Sequence, residues 1–273
     1  MSLIFGVIVG FSLGLTGGGG SIFAVPLLVY GLAVPVHQAV VISLAAVGST
    51  ALLGALMQLH SGTAEFRTGI IFGLAGIMGT PLGTWLGGKL PATFLLGGCA
   101  LLMLLIAFRL WRRASQNPAE ARVVRAGIDP LDAAGPACRR DPDSQLHFTS
   151  RCAVMLVLTG IITGLLSGLF GVGGGFLIVP ALLMIAALPI QRAVATSLVV
   201  ITLISAAGVI SQLLAGRALD LNLTAWFVLG GLAGMGLGIL LSRWLAGPLL
   251  QKLFAGMMVA VAVYILIRDC YLT

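Results

Sequence analysis

The chain has 273 residues, of which 59% are hydrophobic and 8% charged, and its mean hydropathy is +1.13. A soluble domain of this size needs a mixed charged surface that this composition cannot supply, so the bilayer is its solvent. The net charge of +7 comes from Arg and Lys at the ends of apolar runs and in one central cluster. That pattern orients a membrane protein and excludes a nucleic-acid partner.

The apolar runs are continuous rather than alternating, which predicts helices and excludes a β-barrel. In chain order they cover 3–15, 22–32, 39–59, 68–86 and 93–111, then 152–169, 176–188, 193–214, 223–244 and 249–267. About 20 residues at roughly 1.5 Å rise cross a hydrocarbon core of about 30 Å. The last three runs of each set reach that length, and the first two fall short or barely reach it. Run 3–15 has the length of a signal-peptide core, but no basic residue precedes it and the second half repeats it, so it is read as part of the fold.

Between the two sets the apolar character stops. Arg112, Arg113, Arg122, Arg125, Arg139, Arg140 and Arg151 outnumber Glu120, Asp129, Asp132, Asp141 and Asp143 there. This composition predicts a solvated linker, and its Arg excess places it on the cytoplasmic side. The expected organisation is a first membrane repeat over 1–111, the linker over 112–151 and a second membrane repeat over 152–273. The expected class is an all-α polytopic membrane protein of about eight spans, in a bacterial-type inner membrane.

The duplication appears when the sequence is slid on itself by 154 residues. From 14 to 62, 18 of 49 positions are identical to 168 to 216. Val25-Pro26 falls on Val179-Pro180, Ser43-Leu44 on Ser197-Leu198, and Gln58-Leu59 on Gln212-Leu213. Duplicated membrane units are a common build of secondary transporters, with the substrate where the copies meet. If the two short opening runs form one broken span, the copies are parallel. If they form a hairpin or two spans, the copies are inverted, and this second arrangement is favoured.

Each copy opens with the same spacing, Gly14-x-x-Gly17-x-Gly19-Gly20 and Gly168-x-x-Gly171-x-Gly173-Gly174. Glycine costs a helix about 1 kcal/mol relative to Ala, so such a run breaks the helix at membrane depth. A break there is tolerated only where it lines a cavity or binds something. The half-helices that follow would point free N–H groups and a positive dipole end at the break, which suits an anion. Gly17, Gly19, Gly20, Gly171, Gly173, Gly174 and Gly175 are the expected backbone contacts. Ser21, Ser43, Thr196 and Ser197 are expected to add hydroxyls, and Gln58 and Gln212 are matched amide candidates. Gly73, Gly76, Gly79, Gly83, Gly230, Gly231, Gly234 and Gly238 are expected only to pack helices, with Gly76→Ala mild.

No lysine follows the glycines as a nucleotide-binding loop requires, and no soluble strand precedes them. Cys99, Cys138, Cys152 and Cys270 are too dispersed for a metal site. No catalytic constellation, metal or cofactor is expected. His37, His60 and Glu65 are the titratable candidates for coupling to protons in the first half.

At the segments GLTGGGGSIFAVPLLVYGL and PVHQAVVISLAA in the first half, and GLLSGLFGVGGGFLIVPALL and PIQRAVATSLVV in the second, the sequence resembles the TauE/SafE family, the sulfite exporter and toluene-sulfonate uptake group. The resemblance implies a secondary carrier of about eight spans for sulfite, sulfonates or related sulfur-containing oxyanions. The copies differ where Thr16, Gly18 and Ser21 stand against Phe170, Val172 and Gly175, which leaves the first loop looser and brings a hydroxyl to bear on selectivity. The expected function is carriage of a small anion by alternating access between the repeats, driven by protons or the membrane potential. A passive anion channel and a non-transporting membrane partner subunit are the alternatives.

Overall fold

In lipid the backbone finds no partner but itself, and long runs of Leu, Ala, Val and Ile satisfy that condition as helices. The computed structural model describes residues 1–16, 18–59, 65–116, 139–140, 146–147, 150–185, 188, 190–217, 220–245 and 248–272. The regular structure among them is helical apart from a two-residue antiparallel ladder, β1 (Arg139–Arg140) with β2 (Leu146–His147). The rest of the expected linker lies outside the described residues.

The first half comprises α1 (Ser2–Thr16), a composite segment, α3 (Val36–Leu59), α4 (Phe66–Lys89) and α5 (Ala92–Gln116). The composite segment is a 3-10 turn Gly19–Phe23, α2 (Ala24–Pro26) and a π turn Leu27–Gly31. The missing N–H of Pro26 removes one ladder bond and accompanies the change of helix type. The second half comprises α6 (Ser150–Phe170), α7 (Gly175–Ile185), α8 (Ile190–Leu214), α9 (Leu221–Leu245) and α10 (Pro248–Leu272).

Five described helices are long and apolar enough to cross a membrane: Val36–Gln58, Phe66–Lys89, Ala153–Phe170, Arg192–Leu214 and Leu221–Leu240. Shorter apolar stretches occupy Ser2–Leu15, Gly20–Gly31, Ala92–Phe108 and Gly256–Arg268. Helix α6 is therefore long and apolar enough to span, where its sequence was expected barely to do so. Helix α5 also enters the expected linker as far as Gln116, since Arg112 and Arg113 are good helix formers and suit a helix C-terminus.

Glycine faces bring helices from different halves together. Helix α1 packs on α9 and α4 on α6. A Cβ on Gly14 would lie 2.6 Å from the Met235 carbonyl oxygen, and one on Gly160 would lie 2.7 Å from that of Phe72. Lipid gives apolar helices no hydrophobic reason to associate, so close backbone approach and its dispersion energy hold them. At Gly76, however, a Cβ would lie 2.5 Å from Ile204 Cδ1 and 2.6 Å from Cγ1, so alanine there forces the α8 side chain aside. Those atoms belong to the outer part of a flexible side chain that can turn, so the contact leaves the expectation of a mild Gly76→Ala in place.

The same contacts fix helix direction. Gly6, Gly10 and Gly14 meet Phe227, Gly231 and Met235 in rising order, so α1 is parallel to α9. Gly76, Gly79 and Gly83 meet Gly160, Ile161 and Leu165, so α4 is parallel to α6. Thr50 meets Gly231 and Gly54 meets Met235, aligning α3 with α9, while Gly69 and Gly73 meet Thr196 and Leu203, aligning α4 with α8. By contrast Leu44, Gly48 and Gly54 meet Gly208, Ser205 and Leu198, so α3 and α8 cross antiparallel. Since α1 runs parallel to α3, the chain between them doubles back. The same holds for α7, between the parallel helices α6 and α8.

Candidate functional site

The glycine loops are the points where the chain doubles back, and the structure brings them together at the centre. A Cβ on Gly18 would lie 2.7 Å from the carbonyl oxygen of Gly175. The 3-10 turn begins one residue after Gly18, and α7 begins at Gly175, so two helix starts converge there. First-turn N–H groups of a helix have no acceptor within it, and both the orphan donors and the dipole favour negative charge. Gly17 lies outside the described residues.

The second loop carries left-handed backbone at Gly171 (φ 71°), Gly173 (φ 68°) and Gly174 (φ 69°), a conformation that glycine adopts without a Cβ penalty. Gly171 rests on Val40 of α3, and its carbonyl accepts a 2.6 Å hydrogen bond from Ser43 Oγ. Gly173 lies between Val47 of α3 and the Ile201 and Ser205 side chains of α8. Gly174 faces Thr163 and Ser167 of α6, and Gly20 of the first loop lies against Ser12 and Leu13 of α1. Gly48 and Ser205 stand near the middle of α3 and α8, so Gly173 sits at mid-depth.

The expected hydroxyls are all fully buried, but most are occupied. Ser21 Oγ donates to the Gly18 carbonyl at 2.7 Å, and Ser197 Oγ to that of Val194 at 2.7 Å. Thr196 Oγ1 accepts from the Glu65 N–H at 3.0 Å, away from the loops and against the start of α4. Gln58 and Gln212 each lie near the C-terminus of their helix. Because α3 and α8 are antiparallel, the two amides occupy opposite ends of the bundle, each about 10–15 Å along its helix from the centre. Gln212 is 1% exposed and its Oε1 is unpartnered.

Two residues outside the sequence-based set also stand at the second loop. Ser205 and Ser167 are fully buried, and the Oγ of each has no hydrogen-bond partner. Serines are common inside apolar helices, where they bond back to the preceding turn, as Ser49 Oγ does to the Ala45 carbonyl at 2.7 Å. Only the fold reveals which ones do not.

Polar contacts mark both ends of the bundle. At the start of α3, Arg217 Nη1 donates to His37 Nδ1 at 3.1 Å. Guanidinium has no acceptor, so His37 carries its proton on Nε2. Burial lowers the Arg217 pKa below its usual value. At the opposite end Arg192 Nη1 lies 3.5 Å from Glu65 Oε1. His60 lies outside the described residues. A cavity of about 350 Å³ lined by Leu104, Ala107, Phe108, Trp111 and Val259 is apolar and remote from the loops, so it offers nothing to an anion.

Span-length helices with large apolar side chains such as Leu74, Met78 and Leu82 turned outward define a multi-pass α-helical membrane protein. The family model for sulfite exporter TauE/SafE matches residues 2–265. The chain belongs to the TauE/SafE sulfite exporter family, and with it to the membrane transporters. A probable membrane transporter protein of Xylella fastidiosa (strain 9a5c) is 34% identical over 97% of this chain and 93% of its own length. The probable membrane transporter protein YunE of Bacillus subtilis is 29% identical over 85% of each chain. A shorter stretch, 22% of each chain, is 58% identical to the probable membrane transporter protein MJ0441 of Methanocaldococcus jannaschii. No solved structure matches the chain.

Proposed function

We propose that this membrane transporter is a secondary carrier of small anions, sulfite, sulfonates or related sulfur-containing oxyanions, working by alternating access in a bacterial-type inner membrane. The observation that carries this is the convergence of two glycine loops and two helix starts on Gly18 and Gly175. Helix starts at mid-depth offer an anion hydrogen-bond donors and positive potential without a cationic side chain. The sulfur chemistry of the substrate is drawn from the family description.

Two repeats, 1–111 and 152–273, joined by a cytoplasmic linker over 112–151, form the moving parts. The antiparallel crossing of α3 with α8, at matched positions of the 154-residue offset, supports an inverted pair. So does the doubling back of both loop segments, which gives each half an odd number of passes. The direct backbone contact of Gly18 with Gly175 closes the centre, which favours gated carriage over a standing pore. His37 with Arg217 and Glu65 with Arg192 lie at opposite ends, where the two gates of such a carrier belong.

The test is uptake of labelled sulfite and a simple sulfonate into proteoliposomes, with sulfate, phosphate and acetate as competitors, with and without a pH gradient. Saturable uptake that is blocked by unlabelled sulfite and supports counterflow exchange is the expected result. Flux that follows the electrochemical gradient without counterflow means a channel. No flux of any of these anions, in protein that is folded and inserted, means a partner subunit.

A further inference from the structure

We infer that the anion is not shared evenly between the two loops but is held by the second one, at the head of α7, with Ser205 as its hydroxyl donor. This rests on the carrier function proposed above and names the groups that contact the substrate.

A hydroxyl has one proton to give. Ser21 gives it to the Gly18 carbonyl, Ser43 to Gly171, Thr163 to Thr159 and Thr202 to Leu198. Ser205 Oγ is fully buried, gives its proton to nothing, and lies 3.3 Å from the point where a Cβ of Gly173 would stand. Ser167, across the loop, has a second unpartnered Oγ, and its Cβ lies 3.6 Å from the equivalent point on Gly174. A buried hydroxyl without a partner is unfavourable, and two of them flanking one glycine pair are best accounted for by an acceptor that arrives from outside.

Among the described residues the first loop offers no equivalent. Its helical start is a 3-10 turn of five residues, Gly19–Phe23, and its own serine is already bonded. Ala51 and Leu13 occupy the positions that match Ser205 and Ser167 in the first copy. Helix α7 runs for 11 residues from the left-handed glycines, long enough to carry a dipole, and Gly173, two residues before its start, lies against Ser205. An oxyanion has oxygens enough to accept from the first-turn N–H groups of that helix and from Ser205 at once, whereas a halide offers a single centre. A small oxyanion is thus the fitting class, and its sulfur is drawn from the family description.

Calorimetric titration of the purified full-length protein with sodium sulfite, sodium methanesulfonate and sodium chloride tests this, using wild type, Ser205→Ala and Thr202→Val. Ser205→Ala is expected to bind sulfite about tenfold more weakly, as loss of one hydrogen bond to a charged group implies. It is also expected to melt no lower than wild type, because the deleted hydroxyl has no partner to lose. Thr202→Val, on the same helix, keeps wild-type affinity. Wild-type affinity in Ser205→Ala overturns the assignment and leaves the carrier proposal standing. A marked fall in its melting temperature also overturns it, by making the hydroxyl a structural bond. Absence of sulfite and methanesulfonate binding in the wild type overturns both.

Discussion

Gly18 and Gly175 lie backbone against backbone, so that a Cβ on Gly175 would sit 2.7 Å from the Cα of Gly18. Neither atom is the end of a flexible side chain, so neither can swing away. Gly175→Ala is expected to push the two loops apart at a cost of about 1–3 kcal/mol, typical of an overpacked core. The check is the melting temperature in detergent together with sulfite uptake, and both should fall. Uptake and melting at wild-type levels would mean that the loops do not touch.

The helix pair α1 and α9 gives a sharper comparison between neighbours. A Cβ on Gly234 would collide with the Val7 carbonyl oxygen and lie 2.8 Å from the Phe11 nitrogen, whereas one on Gly236 meets nothing within 4 Å. Gly234→Ala should therefore destabilise the protein by about 1–3 kcal/mol. Gly236→Ala should be neutral or stabilise by up to about 1 kcal/mol through helix propensity. Parallel thermal unfolding of the two variants decides it, and equal behaviour would refute the α1–α9 packing.

At the Glu65 end, charge and hydrogen bond can be separated. Arg192 is 42% exposed and Glu65 is 19% exposed, so solvent screens their pair and Arg192→Gln should cost less than about 1 kcal/mol. Thr196 is fully buried and its Oγ1 accepts the Glu65 N–H across two helices. Thr196→Val strands that N–H and should cost about 1–3 kcal/mol. A larger loss of thermal stability from Arg192→Gln than from Thr196→Val would reverse this ranking.

His37 can accept from Arg217 only while its Nδ1 is unprotonated. The contact is present at neutral and higher pH and is lost as acid places a second cation beside the guanidinium. His37→Gln keeps an acceptor at every pH and matches Gln191, the residue at the corresponding place in the second copy. Uptake by wild type should therefore change on the acid side of neutrality, and uptake by His37→Gln should lose that response. Superimposable pH profiles for the two proteins would remove His37 from the gate.

The glycine loops could be read from sequence because adjacent glycines break a helix whatever surrounds it, and the 154-residue offset found both. Ser43 could be read for the same reason, since its repeat partner is Ser197. Ser205 could not. Its partner in the offset is Ala51, and a serine inside an apolar run looks alike whether its proton goes to the turn before, as in Ser49, or to nothing. Gln58 and Gln212 drew notice through their symmetry, yet equivalent residues on antiparallel helices lie far apart unless they sit near mid-depth. Helix direction, which separates those cases, came from contacts between halves that hydropathy does not encode.

The exchange of partners, α1 on α9 and α4 on α6, bears on how the protein is made. Helix α1 leaves the ribosome roughly two hundred residues ahead of the surface it will rest on, and the long loop this closes slows assembly. Until α9 is synthesised, Gly6, Gly10 and Gly14 have no settled neighbour, and a chain truncated before residue 221 exposes that face to the bilayer or to another chain. Neither half is therefore expected to fold as a unit by itself. Separately synthesised halves should form the structure only when present together in one membrane, each completing the other as the two strands of a clasp do.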